Sequence, residues 1–263
     1  MNRALYRDLW GNEKLAQLSR EGVDGVAADA YTALQPSVEL GYPLIPRVLS
    51  ADYLSWPKLP ELFPQSIPGV QTKRDADLIS IDKEPLIERM KKYFDPKVSD
   101  REVAEFAPRL MEKSNRFEPQ STRRTLLRRG FLPDHIVRYC FRPFDMRWIY
   151  WEPETKLLGE KSPTFFPQVR DENVFIEARK RESSERFDRG YFVRVLADNF
   201  GNGFSNFFPL YLYDDDPGQL FQGVRENLSP TARRYLEGVR GDAASLFYHA
   251  LAVLHAPRYR LEN

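Results

Sequence analysis

Cysteine and histidine are nearly missing from this 263-residue chain, which has one of the first, Cys140, and three of the second. A lone cysteine makes no intramolecular disulfide and fits a reducing compartment. His249 and His255 stand six apart, off the i, i+4 spacing that sets two ligands on one helix face, and with Cys140 and His135 they make no metal-ligand set. Long apolar runs are missing as well. No stretch reaches the roughly 18 apolar residues of a membrane span, the region 243–256 included. Residues 1–10 are polar and charged, without an apolar segment of signal-peptide type. A soluble, cytoplasmic protein with no membrane partner is the expectation. Neither sign of charge is in excess: 39 Lys and Arg against 38 Asp and Glu leave +1. That balance excludes a polyanion binder working by bulk charge but leaves room for a local basic groove. There is no Walker A lysine loop, hence no visible ATPase site. No Asn-Pro-Pro-Tyr or Asp-Pro-Pro-Tyr tetrapeptide occurs, so an amino-methylating site is missing too.

Proline, by contrast, is plentiful, with 20 residues. Pro36, Pro43, Pro46, Pro57, Pro60, Pro64 and Pro68 punctuate residues 34–68. Each removes a backbone donor and fixes φ, which predicts a connector with short elements. Ahead of it, residues 4–6 read as a strand and 12–20 as a short amphipathic helix. Residues 77–82 alternate like a strand, and 83–94 read as a helix with Leu86, Ile87, Met90 and Phe94 on one side. Ser99 is placed to cap a helix whose Val103, Phe106, Ala107, Leu110 and Met111 recur at helical spacing, broken at Pro108. A further helix over 121–129 stops at Gly130. The period then turns to strand over 136–142, 146–151, 173–178, 192–197 and 208–213, all rich in β-branched and aromatic residues. Ser229-Pro230 opens a helix, and Asp242 caps a last one over 243–256, apolar on most sides and expected to be buried. Helices, then strands, then helices argue an α+β fold: a mixed, mainly antiparallel sheet in the second half flanked by helices, after a helical and Pro-rich first half.

Residues 141–151 hold five aromatics, Phe141, Phe144, Trp148, Tyr150 and Trp151, together with Arg142 and Arg147. Guanidinium groups reach phosphates and guanine edges, and flat rings stack on bases or sugars. The same composition suits a buried strand whose arginines snorkel to its edges. Arg142 and Asp145 are also placed to pair across the turn at Pro143 and Phe144. Upstream, Arg123, Arg124, Arg128, Arg129 and Arg138 extend the basic stretch, opposed within 121–147 only by Asp134 and Asp145. On a helix, Arg124, Arg128 and Arg129 project away from Leu126 and Leu127, toward solvent or phosphate. A second basic run, 179–194, carries Glu182, Glu185 and Asp188 and reads as a self-neutralising surface loop.

Enzyme readings fare worse. Pro133-Asp134 followed by Glu154-Thr155-Lys156 has the spacing of a metal-dependent nuclease, which needs those acids and the lysine on paired strands around a divalent ion. Pro153 removes a ladder donor just ahead of Glu154, and Asp134 falls at a turn, so a fortuitous match is the better reading. The run Asp198-Asn199-Phe200-Gly201-Asn202-Gly203 has the glycines of a methyltransferase cofactor loop. Bulky aromatics and Pro209 follow it, however, so a strand-to-strand turn is expected. No nucleophile–base pair stands out.

Four blocks of the chain resemble one family. Arg142-Pro143-Phe144-Asp145-Met146-Arg147-Trp148-Ile149-Tyr150 is similar to the RPFDxRxxY block in the C-terminal specificity region of Type ISP restriction–modification enzymes and related adenine-N6 DNA methyltransferases. Phe63-Pro64 followed by Pro68-Gly69-Val70-Gln71-Thr72-Lys73-Arg74-Asp75 resembles the family's F…PGVxTxRD element. Phe208-Pro209-Leu210-Tyr211-Leu212-Tyr213 matches its FPLYLY strand, and residues 247–260 its late YxYaxLHsPxYR helix. Residues 5–11 further resemble the last strand and exit of a methyltransferase domain. The resemblance implies a remnant of that domain and a connector over residues 1–50, then a target-recognition domain over 51–263 that lacks its extreme C-terminus. It implies double-stranded DNA as partner. Arg124, Arg128 and Arg129 would dock on phosphates, while Lys73, Arg74, Arg142, Arg147 and Trp148 would reach bases or backbone. It also implies no catalytic site and no cofactor in this chain. S-adenosylmethionine, Mg and ATP would belong to absent upstream domains, and the chain looks like a fragment or a detached specificity part. Two alternatives stay open: a module docking on a separately encoded methyltransferase or helicase–nuclease polypeptide, and a nuclease through Asp134, Glu154 and Lys156.

Overall fold

Hydrophobic period decides where helix gives way to strand along this chain. The computed structural model describes residues 4–24, 31–34, 42, 44, 46, 52–179, 190–201, 203–214, 223–257 and 259. Two compact units divide it, Met1–Trp56 with Leu261–Asn263, and Pro57–Arg260. In the first, strand β1 (Ala4–Tyr6) pairs antiparallel with β2 (Thr32–Leu34), with helix α1 (Lys14–Asp24) between them in sequence. Of the features expected from the sequence, Pro36, Pro43, residues 180–189, Asn202, Arg258 and Arg260 lie outside the described residues.

The second unit opens with short elements, as its prolines require: α2 (Leu59–Leu62), β3 (Ile67–Pro68), α3 (Asp75–Leu78) and β4 (Ile79–Ser80). Four helices follow: α4 (Lys83–Tyr93), α5 (Asp100–Phe106), α6 (Pro108–Met111) and α7 (Pro119–Arg129). Ser99 caps α5 with its hydroxyl on the Glu102 N–H, while the Glu102 carboxylate reaches back to the Ser99 N–H, a reciprocal capping box. Pro108 ends α5 and starts α6, because a proline cannot donate into the preceding turn. Gly130 ends α7 at φ +88, a conformation that side chains with a Cβ resist.

Then come β5 (Ile136–Arg142), β6 (Asp145–Tyr150), β7 (Phe175–Arg179), β8 (Phe192–Val193), β9 (Leu196–Ala197), β10 (Ser205–Pro209), β11 (Tyr211–Tyr213) and β12 (Val224–Glu226), and finally α8 (Pro230–Val239) and α9 (Ala243–His255). One four-stranded sheet runs β4-β6-β5-β9, another β3-β10-β7-β8, and β11 pairs with β12 alone. Among the described strands every pairing is antiparallel except β5 with β9. The fold is therefore α+β with mostly antiparallel sheets, as the sequence predicts.

Two apolar cores share the β7 strand. Leu86, Met90, Val103, Leu110 and Leu126 from α4 to α7 pack with Ile79, Tyr139, Ile149 and Tyr150 of the first sheet, and Phe175 joins them. Its neighbour Ile176 belongs to the other core, with Phe63, Phe208, Leu236 and Phe247. Successive strand residues point to opposite faces, so one strand serves both cores. Each fully buried Leu or Phe is worth about 1.5–3 kcal/mol.

Four expectations need correction. Residues 77–82 are not one strand: Asp77 turns inward in α3 to accept the Leu110 N–H at 3.2 Å, only Ile79 and Ser80 pair, and Ile81 is exposed. Residues 192–197 are two strands in different sheets, because Val193 pairs with Phe175 whereas Leu196 pairs with Tyr139. Residues 208–213 also divide. Pro209 has no N–H to continue the ladder, and Leu210 turns to donate to Val174 and accept from Asn227. Last, α9 is buried only near its start, at Ala243, Leu246 and Phe247, with Leu251 and Leu254 partly exposed.

Candidate nucleic-acid interface

The aromatic, arginine-rich block of the sequence becomes the β5–β6 hairpin. Its ladder runs from Ile136 opposite Tyr150 to Arg142 opposite Asp145, leaving Pro143 and Phe144 as a two-residue turn. Between Cys140 and Arg142 the register shifts by one, so Phe141 is a bulge. A bulge twists the strand and re-aims its side chain. Here the Phe141 ring lies against two guanidinium groups, Arg142 at 3.9 Å and Arg147 at 4.2 Å. One turn along the hairpin, the Trp148 ring holds Lys83 at 4.7 Å and Arg138 at 5.0 Å. Two rings thus position four cations. Each such contact is worth about 0.5–1 kcal/mol at an exposed site and, more usefully, fixes the direction of a flexible side chain.

Carboxylates orient two of these cations. Asp145 takes Arg147 through both oxygens, at 2.9 and 2.7 Å. The hydrogen bond from Arg147 holds the Asp145 carboxyl below its usual range, and the same bond raises the Arg147 guanidinium. Arg142 lies 3.5 Å from Asp198 and donates to its neighbour's carbonyl, Phe141 O. Burial pushes the Asp198 carboxyl up, although Tyr139 donates to it at 2.8 Å. The expected pairing of Arg142 with Asp145 is therefore replaced: these two are ladder neighbours, and each takes a different charged partner. Cys140, on the buried side of β5, is pushed up to about 11, first by burial and then by Asp145 and Asp198, which leaves little of the reactive thiolate.

The other predicted residues divide into exposed and internal. Arg124 and Arg128 are exposed on α7 and, among the described residues, pair with no carboxylate. Lys73 is exposed at φ +60. Arg74 is not a surface reader. It is 5% exposed, its guanidinium lies 3.5 Å over the Phe117 ring and donates to Leu157 O at 2.8 Å, and burial lowers its pKa. Arg129 is partly exposed but turned inward. It pairs with the fully buried Glu152 at 2.6 Å and with Glu154 at 3.3 Å, and donates to the Tyr150 hydroxyl. Arg123, in the same basic stretch, is buried on three carbonyls and Asp100. Val70 and Thr72 of the same segment are buried beside Arg74, while Lys73 and Asp75 face outward. A Cβ on Gly69 would meet the Asn199 backbone nitrogen at 2.5 Å, so only glycine permits this close crossing.

Lys83, Arg138 and Phe144 join the hairpin surface without a sequence signal strong enough to single them out. The nuclease constellation does not assemble on strands: Asp134 is exposed in a 3-10 turn, while Glu154 and Lys156 lie on an irregular segment and Glu154 faces Arg129. The glycine-bearing run 198–203 connects β9 to β10 and opens no helix. Among the described residues no group of three or more His, Cys, Asp or Glu side chains is placed to hold a metal ion, and no helix is long and apolar enough to cross a membrane.

A family model, the Type ISP C-terminal specificity domain, matches residues 61–263. This chain belongs to that family. Solved structures agree in fold. The specificity domain is similar to a chain of a DrdV–DNA complex, with a TM-score of 0.62 and 17% identity over 95% of this chain and 26% of that one. It is similar to the ATP-dependent Type ISP restriction-modification enzyme LlaBIII bound to DNA, with a TM-score of 0.59 and 18% identity over 99% of this chain and 18% of that one. A nuclease-deletion mutant of the Type ISP enzyme LlaGI in complex with a DNA substrate mimic gives 0.58 and 18% identity, over 94% of this chain and 23% of that one. The chain thus spans about a quarter or less of these proteins. No curated protein matches it.

Proposed function

We propose that this specificity domain recognises a target sequence in duplex DNA for a restriction–modification system, with the β5–β6 hairpin as its reading element. The observation that carries the reading is the pair of ring-ordered cation clusters, Arg142 and Arg147 on Phe141, and Lys83 and Arg138 on Trp148. An arginine held in direction by a ring and a bidentate carboxylate suits selective contact with a guanine edge, worth about 1–3 kcal/mol of discrimination. Free arginines such as Arg124 and Arg128 suit phosphates, which add affinity without choice. The DNA complexes of its structural relatives support the same partner.

Methylation at adenine N6, cleavage and translocation belong, in this reading, to other polypeptide. S-adenosylmethionine, magnesium and ATP act there, and a separately encoded subunit is the partner to look for. Binding to duplex DNA, followed across a salt series, tests the proposal. Arg124→Ala and Arg128→Ala should each weaken binding on every sequence and reduce the salt slope by about 1. Arg138→Ala should weaken binding selectively, on some sequences more than others. A chain with no salt-dependent affinity for duplex DNA would overturn the reading and favour a docking module.

A further inference from the structure

We infer that Phe144 is a wedge that enters the base stack of duplex DNA, an inference that rests on the DNA reading above and goes beyond it. The ring stands at the tip of the β5–β6 hairpin and is 98% exposed, more than any other large apolar side chain that is described. It contributes nothing to either core. Its backbone sits at φ +66, after Pro143, in a two-residue turn whose second position favours Gly or Asn. A phenylalanine there is strained as well as unburied. Folding alone would select glycine at this position, so an aromatic ring held out on a strained turn points to something met outside the chain.

The surroundings identify that partner's chemistry. Met146 is exposed on the same hairpin, and Arg142 and Arg147, both held on Phe141, lie one to three residues from the tip. Residues 142–147 carry two arginines and one aspartate. A flat apolar ring flanked by cations matches a stack of bases flanked by phosphates. It matches an apolar protein pocket poorly, since those guanidinium groups would be desolvated around it. Proteins that insert an apolar wedge between base steps unstack them and bend the duplex, and the added contacts repay the unstacking. Steps such as TA and TG unstack most easily and are the expected entry points.

The test uses the full chain, a mixed-sequence duplex with 2-aminopurine in place of adenine at TA steps, and the variants Phe144→Ala and Phe144→Gly. Wild type should bind and brighten the aminopurine as it unstacks. Both variants should bind about tenfold more weakly or worse, with the brightening lost. Phe144→Gly should be at least as stable as wild type, its melting temperature rising by about 2–4 °C as the turn relaxes. That pairing of weaker binding with equal or higher stability is one that a structural role for Phe144 would not give. If wild type binds and the variants bind and brighten equally, the wedge is wrong and the DNA reading stands. If wild type binds no duplex at all, both fall.

Discussion

Arg129 shows at the scale of one residue why a basic run cannot be read as a surface. It sits between Arg128 and Gly130 in sequence, yet its guanidinium closes on Glu152, which is fully buried and also accepts the Glu154 and Thr155 N–H groups. Removing one partner of such a pair strands the other's charge. Arg129→Ala should destabilise the fold by about 3–5 kcal/mol, toward the lower end because Arg129 itself is partly exposed. Arg124→Ala and Arg128→Ala should stay within about 0.5 kcal/mol of wild type, and urea midpoints separate the two classes. Next to this pair, His135 lies against the Tyr150 and Trp151 rings. Burial, then the Arg129 charge, holds its imidazole below the ordinary range. The unfolded chain therefore takes up this proton at a higher pH than the folded chain. The His135 contribution should be intact above about pH 6.5 and be lost as pH falls toward the lowered folded value. Melting temperatures between pH 7.5 and 5.5 should fall less for His135→Phe than for wild type.

At the scale of the hairpin, one inserted residue decides which side chains meet. Starting from Arg142 opposite Asp145, an unbroken ladder would set Tyr139 opposite Trp148. The Phe141 bulge moves the pairing by one, so Arg138 faces Trp148 and Tyr139 turns inward to Asp198. Strand identity was legible in the sequence because β-branched and aromatic residues crowd residues 136–151. The bulge was not, since nothing in Cys140-Phe141-Arg142 announces it, and for that reason Arg138 stands in the sequence only as one more member of the basic stretch. Arg74 was misplaced for a related cause: a guanidinium stacked on Phe117, 43 positions away, leaves no trace in local pattern. The hairpin also predicts that arginine is required at position 147. Lysine cannot take Asp145 through two oxygens while lying flat on Phe141. Arg147→Lys should therefore bind DNA as weakly as Arg147→Ala, within a factor of about two to three in direct titration.

At the scale of the whole molecule, helices pack on one sheet, in which the two hairpin strands are central, and a second sheet is shared between two cores. The family blocks read from sequence are largely this scaffold. Thr72 and Arg74 are buried, Phe63 meets Phe247 edge-on at 5.4 Å, and Phe208 and Leu210 fill the second core. The fold and the family were therefore legible, because core residues repeat with period. The reading surface was legible only as a region, because which arginines face outward depends on distant partners. Selection from a pool of randomised duplexes tests the central claim most directly. Wild type should enrich one short sequence, and Arg138→Ala or Arg147→Ala should relax the choice at particular positions within it. Enrichment of no sequence, or of the same sequence with unchanged stringency by those variants, would contradict the account.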